Sequence, residues 1–175
     1  MMGSIKTNEV IMTPEKEYQK LYERMAALCI EQGWGDPFSY ARSKEIYAAI
    51  VLGHRVASDY SGADAYGPNG DEYEYKSTIG KHCKGSYTGI SVQEDWEKQE
   101  AYLKYEKIGK YPEHYYNRFE GGKFVESWMT KGPKVLELLL PKLEKKFPVT
   151  LGKRDPRLSA NISWTEIQTY GVRVI

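Results

Sequence analysis

Three ionisable residues lie around one short turn in the segment GADAYGPNGDEYEYKS, from Gly62 to Ser77. Asp64 precedes the turn, and Glu74 and Lys76 follow it with one tyrosine between them. Side chains two apart in a strand project to the same face, so Glu74 and Lys76 are expected side by side, with Asp64 approaching from the partner strand of a hairpin. Two carboxylates beside one ammonium form a candidate site for a divalent cation.

The chemistry that these three groups suggest is metal-assisted hydrolysis of a phosphodiester. Converging carboxylates raise each other's pKa unless a cation lies between them, and Mg²⁺, which prefers oxygen ligands, meets that need. A lysine beside a metal-bound water can stabilise hydroxide or orient it for in-line attack. The alternative is that Glu74 and Lys76 form a surface ion pair on a strand, an arrangement that is common and contributes little to stability.

Length and charge limit the class of protein. A chain of 175 residues is expected to form one domain, with a helical region at about 14–54 and a catalytic region at about 60–175. The 25 basic and 24 acidic side chains give a net charge of +1, which argues against a nonspecific DNA coat. They do not exclude a DNA enzyme, because catalytic carboxylates offset the cations that contact phosphates.

Cysteine spacing and hydropathy suggest an intracellular setting. Cys29 and Cys83 lack CxxC spacing and a nearby histidine pair, so neither a zinc site nor a disulfide framework is indicated. The sequence has no signal-like apolar run at its start, and the run VLELLL is far shorter than a membrane span. We expect a cytoplasmic protein with no membrane partner.

The first predicted element is a helix from about Pro14 to Gln32, capped by Thr13 and ended by Gly33. Its apolar stripe is expected to form core or a dimer contact. The stripe consists of Tyr18, Leu21, Tyr22, Met25, Leu28 and Cys29.

Periodicity and turn signals predict the remaining elements. Hairpins are expected from SGADAY to EYEYKSTI and across 113–130, turning at Gly121 and Gly122. A second helix is predicted from about Ser43 to Gly53, with Ser43 as cap and with Ile46, Tyr47 and Ile50 on one apolar face. Further helices are predicted from about Val92 to Ile108 with Ser91 as cap, and from Pro133 toward Lys146 with an interruption or a kink at Pro141; NISWTEIQTY is expected to be a strand. This order predicts an α+β domain with a mixed, largely antiparallel central sheet flanked by helices.

The segment around the three ionisable residues resembles the catalytic segment of PD-(D/E)xK nucleases, in particular that of PvuII-type restriction endonucleases, in which Asp, Glu and Lys have the same separation. The similarity extends to the N-terminal segment YQKLYERMAALCIEQGWGDPFSYARSKEIYAAIVLG and to the C-terminal segment DPRLSANISWTEIQTYGVRVI. The segment KGSYTGIS lies where that family places its base-reading residues.

The resemblance implies a restriction-endonuclease-like fold and a Mg²⁺-dependent type II restriction endonuclease that cuts duplex DNA at a palindromic site as a homodimer. It makes Asp64 and Glu74 the metal ligands and Lys76 the catalytic lysine, and it places Tyr105 near the scissile phosphate. It also implies a restriction-modification system in which a cognate DNA methyltransferase protects host sites without a required stable complex. Two rivals stay open: a structure-specific nuclease such as a junction resolvase, and a noncatalytic DNA-binding module.

Candidate DNA contacts fall into three groups: cations after the catalytic strand, hydroxyls of the next segment, and a basic loop near the C-terminus. They are Lys81, His82 and Lys84; Ser86, Tyr87, Thr88 and Ser91; and Lys153, Arg154 and Arg157. Solvated loops explain the two basic groups nearly as well. Glu45 is interpreted as an exposed first-turn carboxylate that suits the helix dipole, with an additional metal or water ligand as the alternative.

Overall fold

Two sheets and five α-helices form the part of the chain that this computed structural model describes, residues 12–58 and 62–175. The helices are α1 (Pro14–Glu31), α2 (Arg42–Leu52), α3 (Trp96–Tyr102), α4 (Gly132–Leu151) and α5 (Trp164–Tyr170), and a π-helical turn (Leu103–Lys107) continues α3. The strands are β1 (Arg55–Val56), β2 (Ala65–Tyr66), β3 (Glu72–Thr78), β4 (Gly85–Ser91), β5 (Glu113–Glu120), β6 (Lys123–Lys131), β7 (Arg157–Ile162) and β8 (Val172–Arg173).

The larger sheet has the strand order β1-β2-β3-β5-β6-β8. Its central pair, β3 and β5, is parallel, and all its other pairs are antiparallel. Strands β4 and β7 form a separate antiparallel ribbon. The predicted α+β fold with a mixed, largely antiparallel sheet flanked by helices is therefore confirmed.

The main core lies where α4 packs against the β4–β7 ribbon. Leu139 and Leu143 of α4 are fully buried, and Ile162 of β7 is only 1% exposed. A second cluster joins α2 to the central sheet through Ala48, Ala49 and the ring of Tyr75. The β2–β3 hairpin, which carries the three ionisable residues, thus packs against α2 and pairs with the central strand β5.

Helix α1 begins and ends as predicted. The Oγ1 of Thr13 accepts a hydrogen bond from the backbone N of Lys16 at 3.4 Å, and Gly33 follows the helix at φ +68°. Its apolar stripe, however, is not core: Tyr18 is 70% exposed, and only Cys29 of the helix is buried. The dimer-contact alternative stays a prediction.

Two predicted helix caps are wrong. Helix α2 begins at Arg42 and has no side-chain cap, so Ser43 lies inside it. Helix α3 begins at Trp96, where the Oδ1 of Asp95 accepts from the backbone N of Lys98 at 2.8 Å. Ser91 belongs to β4 instead of capping a helix, because the ribbon continues through that residue.

The C-terminal region differs most from the prediction. The segment after Ile162 is helix α5 and not strand, because Ser163 and Glu166 form a reciprocal capping box. Helix α4 continues through Pro141 and ends at Leu151, beyond the predicted Lys146. Ser61, the first residue of the predicted SGADAY strand, lies outside the described residues. Among the helices that the structure describes, none has the length and apolar character needed to cross a bilayer.

Candidate active site

The β2–β3 hairpin fixes where Asp64 lies relative to β3. Ala65 pairs with Tyr73 across the hairpin, which brings Asp64 opposite the start of the Glu74 to Lys76 segment. The backbone N of Asp64 donates to the carbonyl of Tyr73 at 3.0 Å, and its Oδ2 accepts from the backbone N of Tyr75 at 2.7 Å. The first carboxylate is therefore held against β3 by both its main chain and its side chain.

The turn of this hairpin depends on glycine at one position. Gly67 N donates to the carbonyl of Asp71 at 2.9 Å, which closes the turn. A Cβ at Gly67 would lie 2.2 Å from the hydroxyl oxygen of Tyr73, so the tyrosine packs where any other residue would place a side chain. This close packing supports the register that brings Asp64 to β3.

Glu74 and Lys76 project from the same face of β3 and form an ion pair. The side chain of Glu74 is 18% exposed and that of Lys76 is 23% exposed. A pair that has lost about four-fifths of its contact with water is not the exposed surface pair that the alternative assumes. The strand period of two is sufficient to explain why these two groups meet.

Glu45 is a third carboxylate near the same place, so its interpretation as an exposed residue is wrong. Its side chain is 18% exposed and pairs with Arg42 at 3.4 Å. Arg42 is itself fixed, because its Nε donates to the carbonyl of Trp34 at 2.6 Å. Burial raises the pKa of Glu45, and the charge of Glu74 adds to that rise while Arg42 opposes it.

Electrostatics tie these groups into one cluster. Burial raises the pKa of Asp64 well above its usual range, and the charges of Glu74 and Glu45 raise it further. The amide of Tyr75 and the ammonium of Lys76 oppose that rise without cancelling it. Three carboxylates in a half-buried space, incompletely balanced by their cations, are the condition that a bound divalent cation relieves.

Lys76 keeps its charge in this environment. Burial alone would lower the pKa of its ammonium, but the carboxylate of Glu74, with Asp64 and Glu45, outweighs burial and leaves that pKa above its ordinary value. A lysine held in the protonated form can donate hydrogen bonds and stabilise negative charge. It is poorly suited to act as a general base.

The donor set fits a cation that retains much of its water. Among the described residues no group of three or more His, Cys, Asp or Glu side chains is arranged to hold a metal ion. Asp64 and Glu74 offer two carboxylates, and Mg²⁺ is typically bound through one or two carboxylates with waters completing its octahedron. Two carboxylates are thus the protein ligands that this cluster would offer to such an ion.

A small cavity of about 50 Å³ opens beside the ion pair. Glu74 and Lys76 form one side of it, Thr88 and Ile90 of β4 another, and Lys107 approaches from the π-helical turn. A water needs roughly 10–15 Å³ of such space, so the cavity can hold water next to the carboxylate of Glu74. It is lined by carboxylate, ammonium and hydroxyl groups as well as by apolar surface.

Tyr87, which was predicted to contact DNA, is buried in the wall of this site. The residue is 5% exposed, and Lys76 Nζ lies 5.0 Å from the centroid of its ring. Its hydroxyl bonds to Nδ1 of His114 at 2.9 Å and to the hydroxyl of Tyr116 at 3.0 Å. His114 donates from Nε2 to the carbonyl of Ile108 at 3.1 Å, which leaves Nδ1 to accept from Tyr87.

The exposed face of β4 carries the hydroxyls that were predicted to contact DNA. Lys84, Ser86 and Thr88 alternate with buried residues and face outward. Lys81 is exposed just before this strand. The ring of His82 stacks on Trp164 at 5.4 Å between centroids, which orients it toward α5. Of these residues, Thr88 lines the cavity together with Glu74.

The remaining candidates lie farther along the chain. Lys153, Arg154 and Arg157 are exposed at the start of β7. Arg157 donates from Nη1 to the hydroxyl of Ser91 at 3.0 Å, so Ser91 is tied to the ribbon edge. Tyr105 is 66% exposed on the π-helical turn, while Lys107 and Ile108 of the same region line the cavity. Its position near a scissile phosphate stays a prediction.

No protein-family model matches this chain, and no curated protein is similar enough to it to count as a match.

Proposed function

We propose that the protein is a Mg²⁺-dependent, site-specific endonuclease of the PD-(D/E)xK type that hydrolyses phosphodiester bonds of duplex DNA in the cytoplasm. The observation that carries the proposal is the convergence of Asp64, Glu74 and Lys76 at one half-buried cluster, with Asp64 fixed by the amide of Tyr75. Residue types and spacing of this kind suit metal-assisted phosphodiester hydrolysis.

In this proposal Asp64 and Glu74 hold the divalent cation. When bound, the cation supplies Lewis-acid polarisation of a phosphoryl oxygen and an acidified water. Glu74 is paired with Lys76 in the structure, so ion binding requires Glu74 to share its oxygens between the ammonium and the cation. A cation at the carboxylates would offset the burial and the repulsion by Glu74 and Glu45 that together raise the pKa of Asp64.

Lys76 orients the attacking water and stabilises the developing negative charge on the phosphoryl group. Its raised pKa favours this donor role over proton abstraction. The ring of Tyr87 lies 5.0 Å from the ammonium and restricts where Lys76 can move. The cavity between β3 and β4 gives a water access to the ammonium and to Glu74.

The exposed face of β4 supplies the contacts to DNA. Ser86 and Thr88 can donate to and accept from base edges, and Lys84 can contact phosphates. Thr88 also lines the cavity, so a contact made on this strand is coupled in position to the catalytic lysine. A homodimer acting on a palindromic site, and a methyltransferase that protects host DNA, complete the proposal as a restriction-modification system.

Digestion of a long unmodified DNA of known sequence tests the activity. Wild-type protein with Mg²⁺ is expected to yield discrete fragments whose sequenced ends share one motif, and EDTA is expected to stop cleavage. Asp64→Ala and Lys76→Ala should each lose at least about 10²–10³-fold in rate while still binding DNA in Ca²⁺. Glu144→Ala, which removes an exposed carboxylate of α4, serves as the matched control and should cut normally.

The same preparation separates the two rival functions. A branched four-way junction digested beside the linear duplex should be cut no faster than the duplex; selective cutting of the junction would identify a resolvase instead. Binding to DNA without metal-dependent cleavage of any of these substrates would identify a noncatalytic module and overturn the proposal.

A further inference from the structure

A basic groove of about 650 Å³ runs between the C-terminal half of α4 and the free edge of β7. Its walls carry five cations, Lys142, Lys145, Lys146, Lys153 and Arg157. Three of these were not among the predicted DNA contacts, because Lys142, Lys145 and Lys146 belong to a helix that reads as an ordinary solvated surface. The fold brings them together with the basic loop that precedes β7.

Three of the five cations have partners within the chain: Lys142, Lys146 and Arg157, the last through Ser91 and Asp155. Lys142 donates to the carbonyl of Asn161 at 2.8 Å and pairs with Glu166 at 2.6 Å. Lys146 donates to the carbonyl of Ser159 at 2.6 Å. These ammoniums satisfy carbonyls on the unpaired edge of β7 and so protect it from pairing with another strand.

The other two cations of the groove, Lys145 and Lys153, are available to a ligand. Lys145 and Lys153 are exposed, and their side chains have no hydrogen bond or ion pair with any residue in 12–58 or 62–175. Arg157 pairs with Asp155 at 3.3 Å, with its side chain 53% exposed. Glu166 and Asp155 thus offset two cations of the groove, and its net charge stays positive.

The position of the groove in the fold indicates its partner. Thr88 and Ile90 of β4 line the candidate active-site cavity, whereas Arg157 and Ser159 of β7 line the basic groove. The two-stranded ribbon therefore has the carboxylate cluster beside one strand and the cations beside the other. A two-stranded β-ribbon can enter the major groove of B-DNA, whose two walls are phosphate backbones.

We propose that the α4–β7 groove binds the phosphate backbone of duplex DNA on the side of the ribbon away from the candidate active site. This inference rests on the proposed function for its choice of DNA as the polyanion. Contacts of this kind fix the register of the protein on the duplex without reading its sequence. They also make binding dependent on salt, because each neutralised phosphate releases a counterion.

The test uses Lys145→Gln/Lys153→Gln, which removes two charges with no internal partners and leaves Lys142 and Lys146 intact. Lys16→Gln/Lys123→Gln, at exposed positions on α1 and β6, is the control with the same change in net charge. Binding to a fluorescent 30-base-pair duplex in Ca²⁺ is measured at several NaCl concentrations. The groove variant is expected to bind at least about tenfold more weakly and to reduce the slope of log K against log[NaCl] by about 0.9 for each lost phosphate contact.

Each possible result of this test either supports or overturns the proposal. Equal slopes and affinities for the groove variant and the control would overturn the proposal, whether or not wild-type protein cuts DNA. Loss of affinity that Lys145→Arg/Lys153→Arg restores would support it even if no cleavage is found, in which case the nuclease proposal fails separately. If the groove variant instead sediments differently from wild type while its DNA binding is unchanged, the groove is assigned to an acidic protein surface and the proposal is overturned.

Discussion

The Oδ2 of Asp64 lies 2.7 Å from the backbone nitrogen of Tyr75 and accepts its hydrogen bond. This single contact places the first carboxylate of the hairpin against the middle of β3, between the positions of Glu74 and Lys76. The bond stabilises the ionised form of Asp64, yet burial and the neighbouring carboxylates raise the pKa of that residue overall. The site is therefore strained electrostatically until a cation enters it or a proton neutralises it.

Asp64→Asn is expected to stabilise the metal-free protein at neutral pH. The amide oxygen can still accept from Tyr75 N, but the repulsion disappears. A carboxyl whose folded pKa is raised favours folding below its ordinary value of 3.8 and loses that contribution as pH rises through the raised value. In EDTA the melting temperature of Asp64→Asn should exceed that of wild type by at least about 2 °C at pH 7.5, and the gap should close toward pH 4.

Divalent cations should reverse this difference, because they bind the carboxylate form. Mg²⁺ or Ca²⁺ is expected to raise the melting temperature of wild type and to leave that of Asp64→Asn unchanged. Asp71→Asn, in the exposed turn of the same hairpin, is the control and should respond to the ion as wild type does. An equal rise in wild type and Asp64→Asn would mean that the ion binds elsewhere.

Glu45→Gln is expected to weaken the response to Mg²⁺ without abolishing cleavage. Glu45 is 18% exposed and its charge acts on Asp64, so it adds to the negative potential that attracts a cation. The Mg²⁺ concentration for half-maximal cleavage should rise by about tenfold, equivalent to about 1.4 kcal/mol. Glu97→Gln in the exposed first turn of α3 is the matched control. An unchanged Mg²⁺ titration would limit Glu45 to its pairing with Arg42.

Tyr87→Phe is expected to reduce stability and to leave the cleavage sites unchanged. The substitution keeps the ring beside Lys76 but leaves the buried Nδ1 of His114 without its donor, which costs about 1–3 kcal/mol. Urea denaturation measures that loss, and sequencing of fragment ends measures specificity. Thr88→Ala, on the exposed face of the same strand, should do the opposite: preserve stability and weaken DNA binding. Altered cleavage sites in Tyr87→Phe would restore Tyr87 as a base-reading residue.

Local patterns predicted the elements that carry the site. Alternation and the Gly-Pro-Asn-Gly turn predicted the β2–β3 hairpin, and the period of two predicted that Glu74 and Lys76 face the same way. Caps at Thr13 and Gly33 predicted α1. In each of these the deciding contacts join residues within about a dozen positions, so the sequence contains most of the information.

Long-range packing decided what the sequence did not predict. Of the predicted apolar face of α2, Ile46 is buried, but Tyr47 and Ile50 are exposed. The helix packs on the sheet through Ala48 and Ala49, which permit close approach. That rotation also turns Glu45 inward. Tyr87 is buried because β4 begins its alternation at Gly85, whose absent side chain leaves room for the ring of Tyr116. Neither the packing face of α2 nor the buried face of β4 can be deduced from neighbouring residues alone.

Ser163→Ala tests a helix-start signal, the capping box, which strand propensity outweighed when the fold was predicted from the sequence. Ser163 and Glu166 have capping-box spacing, but the Trp, Ile, Thr and Tyr residues that follow favour a strand by propensity. In the structure the Oγ of Ser163 accepts from the backbone N of Glu166 at 3.3 Å, and Oε2 of Glu166 accepts from the backbone N of Ser163 at 2.8 Å. Loss of such a cap is expected to cost about 1 kcal/mol, or about 2–4 °C in melting temperature. Gln168→Ala, at an exposed position of α5, should change it by less than about 1 °C, since it removes no capping contact. Equal melting temperatures for Ser163→Ala and Gln168→Ala would show that packing of Ile167 against the core, and not the cap, makes this segment helical.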